Sequence, residues 1–262
     1  MCKIYIMNNY LEIIGIVLII IILIYYIKNN SWIIKKIQYF VEKTTIPKII
    51  IQTWKDNNIP AKYNAMIDSI KKMNTDYKYM FFTDDDIETF LKGHYPEYYK
   101  TYLKLPIKIQ KIDFFRYIVI YHYGGFYMDL DMNGIQNFDD LLNYKCVFPV
   151  DEIIQKKMCI NKRYKPFCDR NQYFLLGQYA FAAEPRNQFI KLLIDTIHEN
   201  IDKYVNNVNN SELYVYRTTG PDYVTNLYLD YENKDDIKIL HNNKRQYFGD
   251  YAKHNYFGSW KT

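Results

Sequence analysis

The sequence predicts an α/β sandwich with a mostly parallel sheet, preceded by one transmembrane helix. Three observations support this prediction: a long apolar run near the N-terminus, an alternation of strand-like and helix-like segments after it, and paired carboxylates at the exit of a central strand-like segment. With 262 residues, 24% of them charged and 49% hydrophobic, the chain has the composition of a globular protein rather than a disordered one. The part after the apolar run is long enough for one domain with a full core.

Charge and cysteine content argue against some classes of protein. The net charge is +5, and the lysines are scattered rather than gathered into a stripe, so no nucleic-acid partner is indicated. The four cysteines, Cys2, Cys146, Cys159 and Cys168, have no metal-site spacing. The sequence leaves open whether Cys159 and Cys168 pair.

The apolar run predicts a membrane anchor. Residues 11–27 read LEIIGIVLIIIILIYYI, with Glu12 as the only charged residue, and no small-residue cleavage site follows. We therefore predict a single-pass anchor over 11–27, after an N-terminal tail over 1–10 and before a stem over 28–45. Lysines are more numerous after the run than before it, which favours a cytoplasmic C-terminal domain. The alternative is a lumenal type II arrangement.

The domain predicted over residues 46–262 opens with alternating strands and helices. After Pro47, the β-branched run over 48–54 is typical of a buried strand, and Tyr77 to Phe82 alternates as a second strand. Between them, Ala61 to Asn74 carries its apolar residues on one helical face. This order predicts a sheet whose strands are mostly parallel.

The second helix has a clear start signal. Thr83 suits the N-cap position, and Asp84, Asp85 and Asp86 suit the positive end of a helix. The helix start accounts for these acidic residues, so we do not predict a metal site there. The elements predicted beyond it are a connecting segment over Tyr95 to Leu105, a short helix over Phe138 to Leu142, a strand over Tyr144 to Phe148, a basic irregular insertion over 151–173, a strand over Gln178 to Ala183 and a helix over Gln188 to Asn200.

The central stretch, residues 112–131, places four charged side chains in an apolar setting. Asp113 and Arg116 are spaced by three, so they share one face of an otherwise apolar helix. Buried charges are costly without partners. The pair is therefore either a structural ion pair or part of a site, and the two residues alone do not separate these alternatives.

The two other charges of this stretch follow a glycine turn. Gly124 and Gly125 permit a sharp turn, and Phe126 to Asp131 reads as a strand that presents Asp129 and Asp131 on one side. Ligands bind at the carboxyl ends of strands in open α/β sheets. Two carboxylates so placed favour Mg²⁺ or Mn²⁺ together with phosphate oxygens.

Together these motifs resemble glycosyltransferase family 32, the DXD-containing sugar transferases, which include fungal outer-chain mannosyltransferases and bacterial capsular polysaccharide glycosyltransferases. The pattern Asp-x-x-Arg-Tyr, a spacer, and Tyr-x-Tyr-Gly-Gly-x-Tyr-x-Asp-x-Asp occupies residues 113–131. Residues 46–54 are similar to the opening strand of the family, with Ile51 where a His usually stands. Thr219-Gly220-Pro221 resembles a family turn, and residues 254–260 resemble its closing motif.

The resemblance implies a GT-A fold and a metal-dependent retaining transferase. It would move a hexose from a UDP- or GDP-sugar, with Mn²⁺ or Mg²⁺, to a glycan, protein or lipid acceptor. The catalytic residues implied are Asp113, Arg116, Asp129 and Asp131, and the metal ligands are Asp129, Asp131 and His254. The donor-binding residues implied are Thr53, Trp54, Asp113, Arg116, Tyr117, Gly125, Asp129, Ser259 and Trp260. The segments 151–173 and 178–185 are expected on the acceptor side.

Several alternatives stay open at this point. Trp54 could be an ordinary core residue, His254 a surface residue near the C-terminus, and Thr219-Gly220-Pro221 a plain helix start, since Pro suits a first helical position. The alternative function is a catalytically silent relative that serves as a membrane-tethered binding or scaffold protein. The four intact charges favour the enzyme. A metal-dependent nuclease or phosphatase is disfavoured, because the stretch has no further acidic cluster or catalytic His nearby.

Overall fold

The structure, a computed structural model, describes residues 46–208, 211–241 and 247–258. The predicted tail, membrane anchor (11–27) and stem lie outside these residues, as do Ser259 and Trp260 of the closing motif. Within the described ranges, no helix is both long and apolar enough to cross a membrane.

The described residues alternate between strands and helices in the order expected for an α/β domain. The strands are β1 (Ile49–Thr53), β2 (Lys78–Phe82), β3 (Gly125–Met128), β4 (Met132–Gly134), β5 (Cys146–Ile153), β6 (Phe174–Leu176), β7 (Ala180–Ala183), β8 (Ile237–Leu240), β9 (Tyr247–Phe248) and β10 (Ala252–His254). The α-helices are α1 (Asn64–Met73), α2 (Asp84–His94), α3 (Pro96–Lys104), α4 (Lys108–Tyr123), α5 (Lys165–Cys168), α6 (Gln188–Glu199), α7 (Ile201–Asn206), α8 (Glu212–Thr218) and α9 (Pro221–Asp230).

The main sheet has seven strands in the order β2-β1-β3-β7-β5-β6, with β8 paired to β5. β1 is parallel to both β2 and β3, and β5 is parallel to β8. Since β7 is antiparallel to both β3 and β5, the strands β1, β2, β3, β5 and β8 all point the same way. The prediction of a mostly parallel sheet is confirmed. A second sheet joins β4, β10 and β9 in antiparallel fashion.

Helix α4 is the central helix of the core. Its residues from Asp113 to Ile120 are all buried, as expected for a helix that is apolar nearly all round. Its apolar side chains pack with those of α6, including Phe189 and Leu193. The charged Asp113 and Arg116 are therefore held in a rigid, apolar frame.

The turn from α4 into β3 requires its two glycines. Gly124 and Gly125 have φ angles of +68° and +93°, a region that other residues rarely adopt. A Cβ on Gly125 would lie 2.5 Å from the carbonyl oxygen of Ile49. The turn thus brings β3 directly against β1 and fixes where the strand exit lies.

Several predicted elements differ in the structure. Tyr95 to Leu105, predicted as a connection, contains the helix α3, in which Pro96 takes the tolerated first position. The strand predicted over Tyr144 to Phe148 runs instead over Cys146–Ile153, and only a 3₁₀ turn, Asp139–Leu141, forms in the region predicted as a short helix. Within the 151–173 insertion, Cys159 and Cys168 form a disulfide.

Candidate active site

A cleft of about 830 Å³ opens at the carboxyl ends of the parallel strands. This is the edge where open α/β sheets bind their ligands. Its walls come from segments far apart in the chain. Its charged and aromatic lining includes Trp54, Asp113, Arg116, Tyr127, Asp129, Asp131, Asp151, Glu152, Arg163, Tyr179, Tyr247, His254 and Tyr256.

Three potential metal ligands converge in this cleft. One ligand atom from each of Asp129, Asp131 and His254 lies within 4.8 Å of the other two. Asp129 and Asp131 follow the end of β3, and His254 ends β10. Pairing of β10 with β4 sets His254 opposite Met132, directly after Asp131. The C-terminal strand thus delivers the imidazole to the carboxylates.

The residues after His254 hold Asp131 in place. The backbone amide of Phe257 donates to Asp131 Oδ2 at 2.9 Å, and Asn255 Nδ2 donates to the Asp131 carbonyl at 2.8 Å. His254 Nε2 lies 3.2 Å from Asp131 Oδ1. Although burial opposes ionisation, these contacts with His254 and Phe257 lower the pKa of Asp131. Asp131 is therefore a carboxylate at neutral pH.

The three side chains fit a divalent cation of the Mn²⁺ or Mg²⁺ class. Two carboxylates and one imidazole form a mixed oxygen and nitrogen donor set, which suits Mn²⁺ better than a purely oxygen-loving ion. Within the described residues, the buried Nδ1 of His254 has no hydrogen-bond partner. Buried polar atoms are rarely left unpaired. The unpaired His254 Nδ1 is therefore consistent with a group that binds next to this imidazole.

Arg116 bridges the carboxylates of Asp113 and Asp129. Its Nη2 lies 3.3 Å from Asp113 Oδ1 and 3.3 Å from Asp129 Oδ1. Its Nη1 donates to the carbonyl oxygen of Gln178 at 2.9 Å, and its guanidinium lies over the ring of Tyr127. With its side chain 2% exposed, Arg116 is a fixed positive charge between two carboxylates.

Asp113 is a buried carboxylate with several partners. Thr219 Oγ1 donates to its Oδ2 at 2.7 Å, and Gln178 Nε2 lies 3.5 Å from its Oδ1. Burial raises the pKa of Asp113 to about 6, although Arg116 and the Thr219 hydroxyl act in the opposite direction. Thr219, from the predicted Thr-Gly-Pro turn, thus serves the site directly.

The backbone and side chain of Asp129 are both fixed. Its amide donates to Tyr179 O at 2.7 Å, and its carbonyl accepts from Gln52 Nε2 at 3.2 Å. The hydroxyl of Tyr127 lies 3.0 Å from both Asp129 Oδ1 and Thr53 Oγ1. Burial raises the pKa of Asp129, with Arg116 opposing the rise. A cation would favour the ionised form.

An aromatic group borders the cleft at the exit of β1. The rings of Trp54 and Tyr63 are 5.1 Å apart, and Phe257 lies 5.6 Å from Tyr63. Within the described residues, Trp54 Nε1 and the Tyr63 hydroxyl are buried without partners. Trp54 is half-buried at the cleft wall, which separates it from an ordinary core residue.

Of the predicted site residues that the structure describes, seven meet in the cleft and two do not; Ser259 and Trp260 lie outside the described residues. Thr53, Trp54, Asp113, Arg116, Asp129, Asp131 and His254 line it. Tyr117 is fully buried behind it and donates to the Thr219 carbonyl at 2.7 Å. Gly125 packs against Ile49 in the β3 turn. The described part of the cleft wall does not include Tyr117 or Gly125. Tyr117 instead holds the Thr219 backbone, and Gly125 allows the close approach of β3 to β1.

The roles of several site residues were not predicted from the sequence. Tyr127 and Gln178 belong to the network around Arg116. Tyr127 is part of the motif over residues 113–131 and Gln178 opens the segment expected on the acceptor side, but neither pattern predicts a contact with Arg116. Asp151 does have a sequence signal: it follows the apolar run from Cys146 to Val150, just as Asp129 follows β3. From the sequence, Asp151 is predicted only as the first residue of the 151–173 insertion, which is expected on the acceptor side.

Comparison with known proteins supports the family resemblance. Residues 60–148, about a third of the 262-residue chain, match the family described as "Glycosyltransferase sugar-binding region containing DXD motif". The suspected DXD-containing sugar transferase relationship is thereby confirmed.

Curated proteins similar to this chain include fungal mannosyltransferases. Inositol phosphoceramide mannosyltransferase 1 of Schizosaccharomyces pombe is 30% identical over 194 residues, covering 73% of this chain and 52% of the relative. Inositol phosphoceramide mannosyltransferase 3 of the same organism is 39% identical over 106 residues, covering 40% and 30%. The chain therefore spans about half or less of the length of these two relatives.

A solved structure supports the fold. The structure titled PaToxG Glycosyltransferase has a TM-score of 0.52 and 18% identity, with 73% of each chain covered. This likeness concerns the fold alone. The GT-A-like fold implied by the sequence resemblance is confirmed.

Proposed function

We propose that the protein is a metal-dependent retaining glycosyltransferase that moves a hexose from a nucleotide-sugar to a hydroxyl acceptor. One observation carries the proposal: the convergence of Asp129, Asp131 and His254 within 4.8 Å, beside the buried Asp113 and Arg116 of the same cleft. The family and the names of the curated relatives support a sugar-transfer activity. The donor is a UDP-hexose or GDP-mannose, and the mannosyltransferase names favour mannose.

The proposed roles divide the cleft between cation, sugar and nucleobase. Asp129, Asp131 and His254 would hold Mn²⁺ or Mg²⁺, which as a Lewis acid would neutralise charge on the departing diphosphate. Asp113 would accept hydrogen bonds from hydroxyls of the donor sugar. Arg116 keeps that carboxylate oriented and favours its ionised form. Trp54, with its unpartnered indole Nε1, would lie beside the nucleobase.

The proposed transfer needs no enzymic nucleophile. The acceptor oxygen forms a bond to the anomeric carbon while the bond between that carbon and the diphosphate oxygen breaks. The acceptor proton passes to the departing diphosphate. The transition state has oxocarbenium character, so the Asp113 carboxylate stabilises the positive charge that develops on the ring.

The disulfide bears on the side of the membrane where the domain lies. Disulfides persist in oxidising compartments and are rare in the cytosol. The Cys159–Cys168 bond therefore favours the lumenal type II arrangement over the cytoplasmic one suggested by lysine counts. The anchor over residues 11–27 stays a prediction.

A donor-hydrolysis screen tests the proposed activity. The purified full-length chain is incubated with Mn²⁺ and a panel of UDP- and GDP-sugars, and release of the nucleoside diphosphate is measured. We expect metal-dependent release with one donor class and its loss in the Asp129→Ala/Asp131→Ala double variant. The matched control is Asp68→Ala/Asp85→Ala, which removes two exposed carboxylates outside the cleft lining. Full activity in the first double variant would overturn the assignment.

A further inference from the structure

Strand β5 contains an irregularity at the cleft. Val150 pairs with Leu176 and Glu152 pairs with Leu175, which leaves Asp151 as an extra residue without a partner on β6. Such β-bulges turn side chains in new directions and are frequent beside active sites. In a regular strand, neighbouring side chains point to opposite faces, whereas Asp151 and Glu152 both line the cleft.

The order of the strands places Asp151 relative to the rest of the site. Because β1, β3 and β5 run in the same direction, their carboxyl ends share one edge of the sheet. Along this edge Trp54 follows β1, Asp129 follows β3, and Asp151 ends the apolar part of β5 beyond β7. Neighbouring strands are about 4.8 Å apart. Asp151 therefore lies on the far side of Asp129 from Trp54 along this edge, within electrostatic range of His254.

Asp151 has an unused hydrogen-bonding capacity. Among the described residues, no hydrogen bond or ion pair reaches its carboxylate, although His254, Glu152, Arg163 and Asp222 act on it electrostatically. Burial raises the pKa of Asp151 to about 6. A partly buried carboxylate without partners is unfavourable unless a ligand supplies the donors.

The neighbouring carboxylate, in contrast, is already occupied. Glu152 accepts from the Tyr164 hydroxyl at 2.8 Å, and its Oε2 lies 3.5 Å from Arg163 Nη1. Arg163 also makes a bidentate contact with buried Asp222, with Nη2 to Oδ1 at 2.7 Å and Nε to Oδ2 at 3.2 Å. One cation thus faces three carboxylates, counting Asp151. The positive charge of Arg163 is therefore balanced by these three carboxylates. This part of the cleft wall is unfavourable for an anionic group of a ligand.

The hydroxyl-rich aromatic surroundings point to the same ligand chemistry. Tyr216 lies under the Arg163 guanidinium at 4.5 Å, and Tyr247 and Tyr256 line the cleft with ring centroids 4.6 Å apart. Aromatic faces pack against apolar ring faces, while carboxylates accept hydrogen bonds from hydroxyls. A neutral sugar offers both kinds of surface.

We propose that Asp151 binds a hydroxyl of the acceptor, and that the acceptor is a neutral polyhydroxylated ring rather than an anionic headgroup. The proposal rests on the proposed glycosyltransferase function and specifies its acceptor subsite. Asp151 accepts the hydrogen bond that orients the attacking hydroxyl. The proton itself leaves with the diphosphate when the new glycosidic bond forms, so Asp151 is unchanged at the end of the reaction.

The test separates transfer to a sugar from transfer to water. The full-length chain, Asp151→Asn and the exposed-carboxylate control Asp68→Asn are assayed with Mn²⁺ and the donor found by the hydrolysis screen. Donor hydrolysis is measured alone, and transfer is measured to a panel of neutral methyl glycosides and to inositol phosphate. We expect Asp151→Asn to lower kcat/KM for transfer to the neutral acceptor about 10- to 100-fold, while hydrolysis and the thermal shift with nucleoside diphosphate and Mn²⁺ stay within about twofold of wild type.

The outcomes distinguish this proposal from the proposed function. Equal transfer by wild type and Asp151→Asn, an equal fall in hydrolysis and transfer, or preference of the wild type for inositol phosphate would each overturn the acceptor proposal while leaving the transferase intact. Absence of both donor hydrolysis and nucleotide binding in the wild type would instead overturn the proposed function, and the acceptor proposal with it.

Discussion

Thr219 donates a hydrogen bond of 2.7 Å to the carboxylate of Asp113, across a sequence separation of 106 residues. The contact ties the junction between α8 and α9 to the central helix α4 and accounts for one lone pair of a buried carboxylate. Hydrogen bonds to charged groups are worth about 1.5–3 kcal/mol. The orientation of Asp113 therefore depends on a hydroxyl far away in the sequence, and in the proposed donor site its approach to the sugar would depend on the same hydroxyl.

Thr219→Val should lower activity without changing the shape of the site. The variant keeps the shape of the side chain but leaves an Asp113 oxygen without its donor, so we expect kcat/KM for donor hydrolysis to fall about 10- to 100-fold. Thr219→Ser retains the hydroxyl and should stay within a few-fold of wild type. Equal activity of the Val and Ser variants would contradict this role for Thr219.

The buried Asp113 should make stability depend on pH. Its folded-state pKa of about 6 lies above the ordinary value of an aspartate, so the folded state binds the proton more tightly than the unfolded state. This contribution to stability is present below about pH 4 and is lost as the pH rises through 6, in total roughly 3 kcal/mol. Urea unfolding of wild type and Asp113→Asn between pH 4 and 7 measures it. The decline should be smaller in the variant by about this amount, because Asp151, whose pKa is also raised to about 6, and Asp129 still contribute to it. Parallel curves would refute the assignment to Asp113.

His254→Ala should weaken cation binding. Removing the imidazole leaves only Asp129 and Asp131 of the three converging side chains, so we expect the Mn²⁺ affinity measured by calorimetry to fall at least about tenfold. His241→Ala is the matched control, because His241 is exposed and outside the cleft lining. Unchanged Mn²⁺ affinity in His254→Ala would exclude His254 as a ligand.

Gly125→Ala should destabilise the fold strongly. The added Cβ would meet the Ile49 carbonyl oxygen at 2.5 Å, at a φ of +93°, so we expect a loss of roughly 3 kcal/mol or more in the free energy of unfolding. Gly93 is exposed in helix α2, with open space around its Cβ position. Gly93→Ala should be neutral or stabilise by up to about 1 kcal/mol. Similar unfolding midpoints for the two variants would refute the steric argument.

Reduction of the disulfide should loosen the insertion. The Cys159–Cys168 bond closes a loop with a sequence separation of 9, for which chain-entropy arguments give about 2–3 kcal/mol. We expect a reducing agent to lower the melting temperature of the wild type but not of Cys159→Ser/Cys168→Ser. The remaining described cysteine, Cys146, is buried and free. An equal fall in melting temperature for both proteins would show that the reducing agent acts on something other than the Cys159–Cys168 disulfide.

The sequence was sufficient for features that depend on local chemistry. Thr83 caps α2 as predicted, with Asp86 completing a capping box, and the apolar run around Asp113 and Arg116 forms the buried helix α4. The glycine turn and the carboxylates of the strand exit also lie where the pattern indicated. Each of these depends on interactions between residues close in sequence, so one stretch of chain contains the whole signal.

Features that depend on tertiary contacts were beyond a single sequence. The bulge at Asp151 exists only because β5 pairs with β6 out of register, and the pairing of Cys159 with Cys168 depends on how the insertion folds. Likewise, Pro96 could end an element or begin one, and its role in starting α3 became clear only in the structure. Register and chain path, rather than residue type, decide these cases.

The docking of β10 on β4 has a consequence for the order in which the site is assembled. The two carboxylates leave the ribosome well before the imidazole, so a partly synthesised chain holds an incomplete set of ligands. Since β4 directly follows Asp131 and β10 ends at His254, the complete set exists only once the last described strand has joined its partner. Cation binding would then also hold this strand in place, because ligand affinity for the folded form adds to its stability. Binding of the cation by all three side chains would thus require that β10 has paired with β4.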